Sequence, residues 1–404
     1  MDRMRIAVDA RPLEERPTGV GRYLEGLLTA WLADRPGDGF VLLSPRAVFV
    51  PSSLAGRVAV VPSANLPGTL WLQTAAGPAA RRAGADAFFG CLGIVPLAGG
   101  PPSVATVHDV TPLLFPEWHS FKNRMGFTPL IGGSVRTARR IAVVSEHSRR
   151  DLVAHFPDAA AKTFVVHNGV EAAPVPVGGP APNEGRPYVL SLGTLEPRKN
   201  LPRLVEAMEA IWDRRPDFPD LVLAGTEGWG LHGFSGRIAS SRHAGRIRPA
   251  GYLEGGERSR WMAGARVFAY PSLYEGFGLP PLLAREAAEQ AADVAADAEV
   301  AGLAAVHEDA GPRHESASSK RTRIFRALAA HVKVAARAGP FAAAQRRNAS
   351  SSCARSIAAA MAAASFGSGR SPASPTTSGR DEADDATTGV PSAIASSGGR
   401  PNPS

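Results

Sequence analysis

The sequence predicts an α/β chain of two tandem parallel-sheet units, the second of them incomplete. Three observations carry that expectation. Short β-rich runs alternate with longer helical stretches, those runs scarcely alternate apolar with polar residues, and the pattern restarts after a Pro/Gly-rich break at 171–187. Strand–helix alternation argues for a parallel sheet with helices on both faces. Strands buried on both sides need apolar residues at successive positions.

In the first unit the strand-like runs are Arg5–Val8, Phe40–Leu43, Val58–Val61, Ala87–Phe89, Val104–Val107, Ile141–Val144 and Phe164–Val166. Helical stretches lie between them, notably Gly21–Ala33, Thr69–Ala83 and Glu146–Phe156. The second unit opens with a strand at Tyr188–Leu192, a helix at Leu201–Arg214 and a strand at Leu221–Ala224. Ile247–Gly251, a helix at Glu257–Gly264 and a strand at Val267–Tyr270 follow. Beyond 282 the only aromatics are Phe325, Phe341 and Phe366, and no strand-like apolar run stands out. Glu286–Ala305 is helical by propensity, and the Ser/Gly/Pro/Thr-rich text from Ser365 reads as disordered. The expected organisation is therefore a first domain at 1–170, a linker at 171–187, a partial second domain at 188–282, an Ala-rich segment at 283–364 without a readable fold, and a tail at 365–404.

The bulk numbers exclude several classes. With 404 residues, 44% hydrophobic and 20% charged, the chain suits a globular protein of two ordinary domains. Two cysteines, Cys91 and Cys353, are too few for a disulfide framework or a Cys-based zinc site. Met1 to Val8 runs straight into a strand without a signal-type apolar segment. No apolar stretch reaches the ~20 residues that span a bilayer. A cytoplasmic location is expected, at the inner membrane face if the basic surface is used. The net charge of +8 suits a polyanion, an anionic membrane or a phosphorylated substrate, and equally a basic enzyme with no such partner. The clusters Arg136-Thr137-Ala138-Arg139-Arg140 and Arg149-Arg150 lack interleaved aromatics, so no nucleic-acid partner is expected. They read as solvated helix faces or as a surface for anionic lipid.

Four segments have the composition of a ligand site. Arg16-Pro17-Thr18-Gly19-Val20-Gly21-Arg22-Tyr23 follows a strand and opens a helix, where glycines admit a ligand and the helix N-terminus favours an anion. It suits a plain glycine-rich helix start equally well. His108 ends a strand in Val104-Ala105-Thr106-Val107-His108-Asp109, at the edge that lines the crevice of open α/β sheets. Its imidazole can bond a sugar hydroxyl, with Asp109 expected to hold it; a simple turn-closing pair is the other reading. Ser191-Leu192-Gly193-Thr194-Leu195-Glu196-Pro197-Arg198-Lys199-Asn200 sets two cations before a helix start, where cations are unfavourable unless an anion lies opposite. A diphosphate is such an anion, and a solvated charge pair is the alternative. Tyr270-Pro271-Ser272-Leu273-Tyr274-Glu275-Gly276-Phe277-Gly278 places a carboxylate and two glycines between a strand and a helix. That suits sugar hydroxyls, phosphate or a developing oxocarbenium charge, and otherwise a Gly/Pro turn.

These segments, with Asp9-Ala10-Arg11-Pro12-Leu13, Val144-Ser145-Glu146-His147-Ser148, His167-Asn168-Gly169-Val170 and Gly251-Tyr252-Leu253, stand in an order that resembles the family 4 retaining glycosyltransferases of the GT-B fold. The likeness covers residues 4 to 282 and is greatest to bacterial mannosyltransferase-like members. It implies two Rossmann-like domains facing a cleft, the first binding a glycan or lipid-linked acceptor and the second a GDP- or UDP-sugar. It implies that Arg198 and Lys199 hold the diphosphate, that the segment around Leu253 meets the nucleobase, and that Glu275 contacts the donor sugar. Gly276, Phe277 and Gly278 would present amides to sugar and phosphate. His108 and the Gly19–Gly21 loop would face the donor and acceptor. Transfer with retention, without metal or cofactor, goes with the family; peripheral membrane association is expected only where the basic clusters meet anionic lipid near a lipid-linked acceptor. The pattern departs at residue 283, where a second glutamate that binds the ribose is replaced by Leu283. Glu286 comes three residues late, about one helical turn. The Ala/Arg/Ser/Pro-rich text beyond is what a shifted reading frame in a GC-rich gene yields. An inactive remnant of the family is thus the alternative expectation.

Overall fold

A computed structural model describes residues 3–14, 19–62, 64–170, 174–176, 179, 182–231, 233–294, 305–307 and 354–363. The first lobe is built on β1 (Arg5–Asp9), β2 (Gly39–Ser44), β3 (Val58–Pro62), β4 (Ala87–Gly90), β5 (Ser103–Val107), β6 (Arg140–Val143) and β7 (Thr163–Val165). They form one sheet in the order β3-β2-β1-β4-β5-β6-β7, parallel at every pairing. The second lobe carries β8 (Tyr188–Leu192), β9 (Asp220–Ala224), β10 (Ile247–Gly251), β11 (Val267–Tyr270) and β12 (Ala305–His307), parallel in the order β10-β9-β8-β11-β12.

Helices fill the connections. The first lobe has α1 (Gly19–Asp34), α2 (Gly68–Trp71), α3 (Gly77–Arg82), α4 (Thr111–Leu114), α5 (Phe121–Gly126), α6 (Thr128–Thr137) and α7 (Glu146–His155). The second has α8 (Leu201–Trp212), α9 (Phe234–Ala239), α10 (Gly255–Ala263) and α11 (Leu279–Val294). A last helix, α12, runs over 354–363.

Successive strand residues point to opposite faces, and both faces are covered. In the first sheet Ile6, Val8, Phe40 and Leu42 pack under Leu24, Leu28 and Trp31 of α1. Ala7, Val41 and Leu43 pack on the other face under Trp71, Ala79 and Ala80. In the second sheet Val189, Leu221 and Leu223 meet Leu204, Met208 and Trp212 of α8. Leu190, Val222 and Phe268 meet Trp261 of α10 and Leu283 of α11. So α8 and α10 lie on opposite faces of their sheet. Among the described residues no helix is long and apolar enough to cross a membrane.

Two expectations for the chain beyond 282 are corrected. Ala305–His307 pairs with β11, in the register Phe268↔Ala305 to Tyr270↔His307, so a strand does follow. Three residues are too short to make a readable run, but β11 offers a preformed edge. Helix α12 is part of the first lobe's core: Ala354, Ile357, Ala358 and Met361 are buried in one cluster with α1. Arg355 pairs with Asp34 at 3.4 Å. Its alanines replace the bulk expected of a core helix, which hid it. The tail from residue 365, and most of 283–364, lie outside the described residues.

Candidate functional site

In open parallel sheets ligands gather beyond the carboxyl ends of the strands where the strand order reverses. Here the reversals fall between β1 and β4 and between β8 and β11. Asp9 ends β1, Cys91 and His108 follow β4 and β5, whereas Arg198 and Lys199 follow β8 and Glu275 follows β11.

The second-lobe group is a closed charge network. Glu275 Oε1 accepts from Lys199 Nζ and Oε2 from Arg198 Nη1, each at 2.6 Å. Arg198 Nη2 donates to Glu196 Oε1, also at 2.6 Å. Tyr270 donates to Glu275 at 3.0 Å, and Ser272 donates to the same oxygen. Lys199 also donates to the Tyr270 hydroxyl. The backbone joins the two loops, Leu273 N donating to Arg198 O at 2.9 Å. The cations are therefore not a solvated pair. Lys199 is buried, and the anions that a helix start requires are supplied from within, by Glu196 and Glu275. Burial raises the cost of ionising Glu275, but Lys199 and Arg198 outweigh it and hold its carboxyl below the ordinary range. Burial lowers the Lys199 ammonium, with Glu275 pulling it partly back.

In the first lobe His108 is fixed otherwise than expected. Its Nε2 lies 3.0 Å from the Cys91 carbonyl, and Tyr23 meets its ring edge-on at 4.8 Å. Tyr23 in turn hydrogen-bonds Thr106 at 3.0 Å. Asp109 does not hold the imidazole. Its Oδ1 accepts from the Thr111 amide at 3.0 Å and the Thr111 hydroxyl at 2.6 Å, starting α4. A short Asx turn is nearer to that carboxylate than the ring is. Burial lowers the His108 pKa, so the ring is neutral at pH 7.

The lobes touch at the Glu275 loop. A Cβ on Gly276 would stand 1.9 Å from the His108 carbonyl oxygen, so only glycine allows this approach. The Gly276 carbonyl accepts from Ser145 Oγ at 2.5 Å and Ser148 Oγ at 3.2 Å. Ser145 also caps α7 by accepting from the Ser148 amide at 3.0 Å. Tyr274 donates to Asp151 at 2.5 Å, and Phe277 lies 6.0 Å from the His167 ring. Gly278 takes a left-handed φ of 80° with open space around it. The Ser-x-x-Ser text signals the helix start; nothing local signals its bond to Gly276.

The remaining expected positions are more dispersed. Gly19 and Gly21 open α1, with nothing within 4 Å of a Cβ on Gly19. The preceding Arg16, Pro17 and Thr18 lie outside the described residues. The Leu253 side chain is buried in the core beside Leu283, leaving only its backbone for a nucleobase. Next to it a cavity of about 290 Å³ is lined by Leu195, Thr226, Glu227, Phe234, Pro249 and Tyr252 among others. Glu286 is buried one turn beyond Leu283.

Residues 18–173 match the sequence family Glycosyltransferase Family 4, and residues 179–288 match Glycosyl transferases group 1. The O-antigen chain mannosyltransferase B of Escherichia coli is 31% identical over 192 residues, 45% of this chain and 49% of that protein. The chain thus spans about half the length of this curated relative. Anabaena Alr3699/HepE, solved with UDP and glucose, is 17% identical with a TM-score of 0.55 over 89% of this chain and 95% of its own. The sucrose-phosphate synthase of Thermosynechococcus elongatus is 15% identical with a TM-score of 0.57, over 89% and 97%. At such identities the likeness to the solved structures is one of fold. Two family matches covering both lobes, the paired parallel sheets and the cleft between them make one conclusion: the chain belongs to the family 4 glycosyltransferases and has the GT-B fold.

Proposed function

We propose that this chain moves a hexosyl group, mannosyl by analogy with the mannosyltransferase relative, from a GDP- or UDP-sugar to a glycan or lipid-linked acceptor. The observation that carries the reading is the Arg198–Lys199–Glu275 network at the strand-order reversal, in contact with the His108 segment across the cleft. An incoming diphosphate exchanges places with Glu275 as the partner of the two cations. Charge-assisted bonds from Arg198 and Lys199 then stabilise the charge that develops on the leaving group, without a metal. Glu275, released from them, turns its carboxylate to the donor sugar. The neutral His108 accepts or donates to a sugar hydroxyl, while the departing phosphate takes the acceptor's proton. Retention is assigned with the family. On the first lobe Phe121 and Met125 stand exposed on α5 beside Arg124, which suits peripheral contact with an anionic membrane.

The test is to measure nucleotide-diphosphate binding and sugar-nucleotide hydrolysis with GDP-mannose and UDP-glucose. Lys199→Ala is expected to weaken nucleotide-diphosphate binding by about a hundredfold. Unchanged binding overturns the clamp. The second reading, an inactive remnant, is favoured by Leu283, which is buried in the second-lobe core and stands where the resemblance expects the ribose-binding glutamate. It is distinguished by the absence of nucleotide-diphosphate binding, hydrolysis and transfer.

A further inference from the structure

The cavity that adjoins Leu253 holds one charged group. It lies beyond the carboxyl ends of β9 and β10, and its walls are mainly apolar, from Leu195, Phe234, Ile238 and Pro249. At about 290 Å³ it is at the small end of ligand pockets, with room for one planar ring system rather than a whole nucleotide. The charged group in this lining is the carboxylate of Glu227. Its Oε1 accepts from Ser235 Oγ at 2.9 Å. Among the described residues no other group bonds that carboxylate and no cation pairs with it. A carboxylate offers about four lone-pair sites, so both oxygens remain open to donors. The cavity is laced to the loop that carries Arg198 and Lys199. Leu195 N donates to Thr226 O at 2.9 Å, and Gly228 N donates to Leu195 O at 3.0 Å. A Cβ on Gly225 would collide with the Gly193 carbonyl, so the two loops approach this closely only with glycine there. Arg198 comes three residues after Leu195, at most about 11 Å along the chain. One nucleoside diphosphate can therefore reach both places.

We propose that Glu227 selects guanine in this cavity, so that the donor is a GDP-sugar rather than a UDP-sugar. The proposal rests on the diphosphate reading of Arg198 and Lys199 and adds the base to it. Guanine presents two neighbouring donors on one edge, N1–H and the N2 amino group, which match the two oxygens of a carboxylate. Uracil presents one N–H between two carbonyl oxygens, so a carboxylate that accepts from it also meets an acceptor. Adenine sets its amino group beside a bare ring nitrogen, with the same conflict. Acceptor against acceptor leaves both groups unpaired. A site built around such a match therefore rejects the wrong base more strongly than an apolar wall rejects a change of size. The bond from Ser235 holds the carboxylate before the base arrives, so less freedom is lost on binding. Tyr252 lines the same cavity, and its hydroxyl is tied across the cleft to Arg22 at 2.9 Å. That gives the lining an aromatic ring, on which a base gains by stacking.

The experiment is calorimetric titration of the intact chain with GDP, inosine diphosphate and UDP, together with steady-state hydrolysis of GDP-mannose. Wild type is expected to bind GDP more tightly than UDP by about tenfold or more. Inosine diphosphate, which lacks the N2 amino group, is expected to fall between them, and it probes the contact without any substitution. Glu227→Gln is expected to lose about tenfold or more in GDP affinity while its UDP affinity stays within about twofold. Its loss in hydrolysis is expected to fall on KM rather than kcat, because the base is bound equally in ground and transition states. Glu227 is exposed, so the variant is expected to melt within about 2 °C of wild type. UDP bound as tightly as GDP by wild type overturns the selection, and so does an equal loss of both in Glu227→Gln. Glu227-dependent GDP binding without hydrolysis or transfer refutes the glycosyl-transfer reading and leaves the guanine site standing. No nucleotide binding by wild type overturns both.

Discussion

The two lobes arm the cleft differently. In the second, Arg198 and Lys199 are saturated by Glu196 and Glu275, while in the first His108 is held by neutral groups, the Cys91 carbonyl and the Tyr23 ring. The saturated pair is pre-organised, and on the proposed reading a ligand exchanges with an internal carboxylate to reach it. The neutral imidazole requires no such exchange. A buried charge network is costly to break on one side, so the saturated centre keeps its shape. The two groups meet where Gly276 approaches the His108 carbonyl.

The largest expected effect breaks the saturated centre. Glu275→Gln leaves Lys199 buried without its carboxylate, which costs about 3 kcal/mol of stability in the ligand-free protein. Bound nucleoside diphosphate is expected to restore much of that, because phosphate replaces the missing anion. Thermal melts with and without GDP or UDP read both, and an equal loss in each state sinks the exchange. Turnover is expected to fall more than nucleotide affinity. The sign with pH follows from Glu275 being held below its ordinary value. Its contribution is present above about pH 4.3, the ordinary glutamate value, and is lost as pH falls through the folded value. The variant lacks that loss.

Gly276→Ala sharpens the role of lobe contact. Each lobe keeps its own core, but the Cβ collides with the His108 backbone. An error of about 1 Å in positioning costs on the order of a hundredfold in rate. A fall of that size in kcat/KM with an unchanged circular dichroism spectrum is expected; wild-type turnover shows that the contact is dispensable. The smallest effect concerns His108. Burial lowers its pKa, so the unfolded chain takes up the proton first as pH drops below about 6.5. Stability is full above that value and declines below it, down to the folded pKa. His108→Asn is expected to flatten this part of the Tm–pH curve. An unaltered slope assigns it to other groups.

The strands up to β11 were legible because the inner ones are buried on two faces and read as apolar runs, while the edge strands β3 and β10 are largely exposed. The chemistry-bearing loops were legible because they follow those runs. Partners supplied from distant strands were not. Nothing near His108 points to the Cys91 carbonyl, which arrives through the pairing of β4 with β5. Asp109 looks like its partner in sequence but belongs to the next turn. The two cations were readable as needing an anion, whereas the sequence alone did not indicate that Glu196 and Glu275 already provide one. Ala305–His307 and α12 escaped because short length and alanine content leave no periodic signal.

Helix α12 makes the first lobe depend on residues synthesised long after it. Ile357 and Met361 complete the cluster around Trp31 and Leu28, so that face stays open while the whole second lobe is being made. At ordinary elongation speeds that interval is on the order of ten seconds or more, far longer than the collapse of a chain this size. The nascent first lobe therefore waits on the ribosome with an exposed apolar face. Chaperone occupancy during synthesis, rather than the stability of the finished protein, is where substitutions in α12 first register.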